Sequence, residues 1–241
     1  RVYDHGEVVL NGCVEKPGRS YCDVKDVLAT VHLQGVDICN LDAIGLALPG
    51  VVDGSTVHMV TMDIGMPDFA KMSEKLGVPI FVDNNANAAA VGCYVSQDKY
   101  ENVLLQRQPT GYTVGGQGLV IDGRLVRGSH GLAGELGYLI NHLTGAFDKR
   151  DYLRSIAWSS EGMLRIVLVE LLCAITATSP EVIYVAVDQL PDMDELHDEL
   201  AKILPEGTVP ELVHVCDYHE RILVGEYALC VNALRTAGAE E

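Results

Sequence analysis

Three polar residues in a row, Asp83-Asn84-Asn85, follow the apolar run Val78-Pro79-Ile80-Phe81-Val82 and precede an alanine-rich stretch from Ala86 to Val95. The run predicts a strand and the alanines a helix. Polar side chains between a strand end and a helix N-terminus commonly line the ligand cleft of an α/β protein. They serve equally as plain caps, because Asn and Asp side chains bind the free N–H groups of a first helical turn. The chemistry differs by residue: a carboxylate accepts a proton, whereas an amide only donates and accepts hydrogen bonds in the useful pH range. Metal chemistry has no local support. The seven cysteines, Cys13, Cys22, Cys39, Cys93, Cys173, Cys216 and Cys230, contain no CxC or CxxC pair. A structural zinc needs clustered thiolates. Most of the cysteines are expected to be small buried hydrophobes in a reducing, cytoplasmic setting.

The elements that must position these residues alternate. Val2 to Leu10 predicts two short strands around a turn at His5-Gly6. Asp23 to Leu33 has helical spacing, with Asp23 as N-cap. Ile44 to Leu48 predicts a buried strand closed by Pro49-Gly50. Met66 to Leu76 suits a helix with Gly77 as its C-cap. Val103 to Gln106, Gly118 to Ile121 and Arg124 to Val126 predict strands, with a hairpin turn at Asp122-Gly123. Tyr152 to Thr178, Met193 to Leu204 and Glu220 to Leu234 predict helices. Val182 to Val185 and Leu212 to Val215 predict strands. Strands alternate with helices in both halves, so the class is α/β.

Composition narrows the partners. Of 241 residues, 48% are hydrophobic and 21% charged, which is globular rather than disordered. No window approaches ~18 consecutive apolar residues, so no membrane partner is expected. The formal net charge is −17, with no basic cluster against it, so the chain is not expected to grip a phosphate backbone by itself. The first residue is Arg1, not Met, and we expect the chain to begin inside a longer gene product.

Three stretches in register resemble the ROK family of repressors, open reading frames and kinases. Gly45-Leu46-Ala47-Leu48-Pro49-Gly50-Val51-Val52-Asp53 is similar to the family's G-I-G-V-P-G-P-V-D. Val78 to Gly92 is similar to P-V-x-V-E-N-D-A-N-A-A-A-L-G. Gly118 to Gly128, followed by Gly131-Leu132-Ala133-Gly134-Glu135-Leu136-Gly137-Tyr138, is similar to G-I-V-I-N-G-K-L-Y-R-G and then G-x-A-G-E-I-G-H. The resemblance implies a two-lobed actin-like, ribonuclease-H-like α/β fold with an interlobe cleft. Residues 1–85 would form an N-terminal lobe without its first strand, and residues 86–241 a C-terminal lobe.

The resemblance also assigns roles. Asn85 falls at the catalytic-base position, where family kinases carry Asp, so it is expected to be inactive there. Asp83 falls where the family carries Glu and is a poor substitute base. Asn84, Asn85, Glu135 and Tyr138 match the sugar-contacting region. Two amides and a carboxylate supply the donors and acceptors that adjacent hydroxyls need. Glu135 has a bland reading as a solvated acid, and its frame favours the functional one. Tyr138 either stacks on a sugar face or packs.

The family's second phosphate loop reads Tyr112-Thr113-Val114-Gly115-Gly116-Gln117-Gly118. Thr113, Gly115 and Gly116 remain as a degenerate cradle, with Val114 and Gln117 where glycine is usual. The first phosphate loop has no counterpart here, and Asp188 stands in the nucleotide-side turn, where it would repel phosphate. Tyr138 replaces the zinc-motif His, His142 lacks thiolate partners, and zinc is expected to be absent. The implied function is a carbohydrate-sensing effector domain of a transcriptional regulator, with DNA bound only through a domain outside this chain and a homodimer as the assembly. The alternative is an ATP-dependent sugar kinase, which would need ATP and Mg; otherwise no cofactor is expected.

Overall fold

A computed structural model describes residues 1–14, 24–54, 56–58, 67–109, 115–143, 158–189 and 192–238. Asp23, Met66, Thr113 and the start of the expected helix at Tyr152 lie outside the described residues. The chain divides into two compact units, Arg1–Ile44 with Pro67–Phe81, and Gly45–Met66 with Val82–Glu241.

In the first unit, β1 (Val2–Asp4) and β2 (Glu7–Leu10) form an antiparallel hairpin. His5 and Gly6 both have positive φ, 48° and 90°, as a tight two-residue hairpin turn requires. Helix α1 (Val24–Leu33) and a 3-10 turn at Ile38–Asn40 follow. Helix α2 (Phe69–Leu76) starts where the Asp68 side chain accepts the Lys71 N–H, and it ends at Gly77 with φ 69°. Its side-chain cap explains a start beyond Met66.

The second unit carries the site. It is built from β3 (Ile44–Leu48) and β6 (Ile80–Asn84), apart from Ile44, Ile80 and Phe81 of the first unit, with β4 (Val51–Asp53), β5 (Thr56–His58), α3 (Asn85–Val95), β7 (Val103–Gln108), β8 (Gly116–Ile121), β9 (Arg124–Leu125) and α4 (Gly137–Leu143). Then come α5 (Ser160–Thr178), β10 (Val182–Val187), α6 (Met193–Ile203), β11 (Glu211–His214) and α7 (Tyr218–Ala237). β3 pairs with β6, and β4 with β5. The main sheet has the order β11-β10-β7-β8-β9. β7, β10 and β11 are parallel; β8 runs antiparallel to β7, and β9 antiparallel to β8.

Alternate residues of each central strand face opposite sides. Leu104, Ile183 and Val185 join Met163, Val167 and Leu171 of α5 and Leu196 and Leu200 of α6. Leu105, Val182 and Ala186 join Ala86, Ala89 and Ala90 of α3 and Tyr218 of α7. Both faces are covered, which is why these strands read as unbroken apolar runs. Helices α3 and α7 approach closely through small residues. A Cβ on Gly225 would stand 1.7 Å from the Ala88 carbonyl oxygen, and one on Gly92 would stand 2.0 Å from that of Arg221.

The expectation that most cysteines are buried does not hold for the described ones. Of the described cysteines only Cys93 is buried; Cys13, Cys39 and Cys216 are exposed, and Cys173 and Cys230 are half-buried. Cys13, Cys39 and Cys216 sit in connections beyond strand ends or in the 3-10 turn, and connections run over the surface.

Candidate functional site

Strand β6 delivers Asn84 to the N-terminus of α3 in extended geometry, φ −68° and ψ 139°. Its Oδ1 accepts the N–H groups of Ala86 at 2.7 Å and Asn87 at 3.3 Å. Its Nδ2 donates to the Gly50 carbonyl at 2.7 Å and to Glu135 Oε1 at 3.0 Å. A side-chain amide has two donors and two lone pairs, and all four are committed within the protein. Asn84 is therefore a cap and a bridge together. It holds Glu135 in place and has nothing spare for a ligand.

Asn85, the first residue of α3, is half-buried, and its side chain makes no hydrogen bond among the described residues. Asp83 is 5% exposed. Its Oδ1 accepts the Asn84 N–H at 2.8 Å and Asn87 Nδ2 at 3.0 Å. Its Oδ2 accepts Arg127 Nε at 2.9 Å and Arg127 Nη2 as well. Glu135 is half-buried, and burial raises its proton affinity. Tyr138 opens outward at 41% exposure; burial and the nearby Glu135 charge raise its phenol. Asn84 and Glu135 thus meet directly, Asn85 follows in the chain, and Tyr138 lies within electrostatic reach.

The described end of the stretch resembling a phosphate cradle, Gly115 to Gly118, is turned inward. The Gly115 N–H donates to the Glu170 carboxylate of α5. A Cβ on Gly115 would stand 2.1 Å from Gln108 Oε1 and 2.5 Å from the Arg107 carbonyl oxygen. Gly115 is required by its own neighbours. Gln117 Nε2 donates to Gln106 Oε1 at 2.6 Å and to the Glu170 carbonyl at 3.2 Å, and Gln106 Nε2 donates to Glu170 Oε2. The described part of this loop does not fit a phosphate, because an amide that would face it is already bonded. Thr113 lies outside the described residues. Asp188 is exposed and lies 3.4 Å from Arg107 Nη1; that guanidinium also sits 4.8 Å from the Tyr218 ring centroid.

Glu170 is 1% exposed, and burial pushes its carboxyl up to about 8 from an ordinary 4.5. The folded protein keeps this proton while the unfolded chain loses it, so stability falls as pH rises from about 4.5 to about 8. We expect Glu170→Gln to remove on the order of 2–4 kcal/mol of that fall. Urea midpoints at pH 5 and pH 8 check this, and an equal pH slope in both proteins would refute it.

Glu170 and Gln106 escape a motif-based reading, and Arg127 falls inside a matched motif without an assigned role. The available signal was a polar residue inside an apolar run, such as Glu170 in Val167-Leu168-Val169-Glu170-Leu171-Leu172. Among the described residues no group of three or more His, Cys, Asp or Glu is placed to hold a metal ion. His142 is exposed on α4. No helix among them is long and apolar enough to cross a membrane.

A family model described as the ROK family matches residues 24–149. A glucokinase of Halalkalibacterium halodurans is 38% identical over 106 residues, 42% of this chain and 31% of that protein. A xylose repressor of Bacillus spizizenii is 31% identical over 112 residues, 44% of this chain and 28% of that protein. The chain covers about a third of the length of these curated relatives. Among solved structures, a ROK family protein from Streptococcus pneumoniae in complex with sucrose aligns with a TM-score of 0.67 at 20% identity. The alignment covers 96% of this chain and 92% of that one. The fold is the α/β actin-like ATPase fold.

Proposed function

Because this chain belongs to the ROK family, we propose that it is a carbohydrate-sensing effector module, binding a sugar at Asn85, Glu135 and Tyr138 without phosphorylating it. The observation that carries this reading is the missing proton acceptor at the family's base position. Asn85 is an amide, and Asp83 beside it has both oxygens engaged by Asn84, Asn87 and Arg127. Phosphoryl transfer also needs a cradle for the phosphates, and the Gly115 N–H is spent on Glu170. DNA contacts are assigned to a domain outside these residues, in keeping with the net charge of −17, and a homodimer is the proposed assembly.

The test is coupled ADP release with Mg-ATP and a panel of hexoses, xylose and N-acetylhexosamines. Negligible turnover is expected. A rate of ~1 s⁻¹ or above, in the ordinary enzyme range, would overturn the reading. The rival reading is an ATP-dependent sugar kinase. It is favoured by the glucokinase relative and by Glu135, a carboxylate beside Asn84 whose proton affinity burial raises. Asn85→Asp separates the two: it restores the family's base yet should restore little phosphorylation, because Gly115 stays bonded to Glu170.

A further inference from the structure

Arg127 and Asp83 form an ion pair in which the Asp83 side chain is 7% exposed and that of Arg127 46%. A buried carboxylate is thus paired with a guanidinium that solvent still reaches. Nε of Arg127 donates to Asp83 Oδ2 at 2.9 Å, and Nη2 donates to the same oxygen. The other oxygen, Oδ1, accepts the Asn84 N–H at 2.8 Å and Asn87 Nδ2 at 3.0 Å. Through Asp83, Arg127 therefore holds the turn where β6 passes into α3, the turn that presents Asn84 and Asn85.

The same residue opens the segment that ends in Glu135. Its carbonyl accepts the Ala133 N–H at 3.2 Å. The segment turns at Gly128, Gly131 and Gly134, with φ of 72°, 69° and 85°. Two of these glycines lie against neighbouring backbone. A Cβ on Gly131 would stand 2.0 Å from the Val52 carbonyl oxygen, and one on Gly134 would stand 2.1 Å from that of Gln117. The Gly134 carbonyl also accepts the Gln117 N–H at 3.0 Å. The path of the segment is thus set by β4 and β8. At its far end Glu135 Oε1 accepts Asn84 Nδ2 at 3.0 Å. The bonds close a ring from Arg127 to Asp83, Asn84 and Glu135, and back along the segment. The Asn84–Glu135 bond alone would let the α3 turn pivot about it. A second, charge-assisted bond between the same two segments removes that freedom.

We propose that Arg127 is a positioning residue of the sugar site, whose pair with Asp83 fixes the first turn of α3 against the Glu135 segment. Asn85 and Glu135 are thereby presented to one ligand in a single geometry. The proposal rests on the sugar-site reading above. Arg127 acts through Asp83 and Asn84, so its loss changes affinity without removing a ligand contact assigned to the site.

The experiment is calorimetric titration of D-glucose, D-xylose and N-acetyl-D-glucosamine. Arg127→Ala should bind the sugar preferred by the wild type about tenfold more weakly, within what supporting partners contribute at metal sites. Guanidinium chloride at about 20 mM, far below the molar range that unfolds proteins, should restore most of that affinity. The free cation enters the solvent-open slot beside Asp83. Urea at the same concentration, similar in shape but neutral, should restore none. Wild-type affinity in Arg127→Ala overturns the proposal. So does a loss that guanidinium leaves in place or that urea repairs equally.

If the unpaired carboxylate unfolds Arg127→Ala, the double variant Asp83→Asn/Arg127→Gln takes its place, with neither charge of the pair left. It should show the same loss and gain nothing from guanidinium, and wild-type affinity in it overturns the proposal. A readout without sugar is the double-mutant cycle of Arg127→Gln and Glu135→Gln on urea midpoints. These two side chains share no hydrogen bond among the described residues. Non-additive effects support the ring, and additive effects overturn it. Non-additivity with no sugar bound by the wild type sinks the sugar-site reading alone.

Discussion

Gly225→Ala should lower the unfolding free energy by ~3 kcal/mol or more, seen as a large fall in the urea midpoint. The new Cβ would stand 1.7 Å from the Ala88 carbonyl oxygen, 2.6 Å from the Gly92 nitrogen and 2.7 Å from the Ala88 carbonyl carbon. All three are backbone atoms, so no rotamer change relieves the overlap. Helices α3 and α7 must separate, and the apolar cluster between them opens. Overpacking by flexible side chains typically costs about 1–3 kcal/mol; a rigid helix backbone belongs at the upper end. Gly12→Ala is the control, with nothing within 4 Å of its Cβ and an expected change within ~0.5 kcal/mol. A Gly225→Ala midpoint indistinguishable from that control would contradict the packing described.

Glu135→Ala should cut by about half or more the thermal shift given by whichever sugar stabilises the wild-type protein. A ligand that binds only the folded state adds roughly 2.7 kcal/mol at a hundredfold excess over its Kd, a clear rise in Tm. Hydrogen bonds to a charged group are worth about 1.5–3 kcal/mol each, so losing the carboxylate should weaken binding at least ~10-fold. The unliganded fold should change little. Glu135 is half-buried, and Asn84 keeps its bonds to Gly50, Ala86 and Asn87. Unfolding by Glu135→Ala, with no sugar shifting the wild type, would make Glu135 a structural acid and the chain an inert scaffold.

Local chemistry made much of the fold legible. His5-Gly6 and Asp122-Gly123 have turn composition, and both take the positive φ it predicts. The strand ahead of Asp83 and the alanine-rich helix after it appear as β6 and α3. Edges moved by one to three residues where a neighbour supplied hydrogen bonds: β7 and β10 run on to Gln108 and Val187, paired to each other throughout. The site was legible only in part. Motif position singled out Asn84 and Glu135, and they meet at 3.0 Å. That Asn84 is saturated depends on Gly50 and Glu135, which are 34 and 51 residues away. Asp83 gives no sign in sequence of Arg127, 44 residues on. Gly115 reads as a flexible loop glycine, and only the folded sheet shows Gln108 and Glu170 filling the space beside it. At Asn84 the capping role is the one seen, and the same side chain also bonds Glu135.

The order β11-β10-β7-β8-β9 also bears on self-association. The six-residue strands lie inside the sheet, and its borders are β11, with four residues, and β9, with two. A border this short offers few unpaired N–H and C=O groups to a strand from another molecule. Glu211 at the start of β11 and Arg124 at the start of β9 add charge to both borders. Growth of this sheet by strand addition, the route to runaway polymers, is disfavoured at either end.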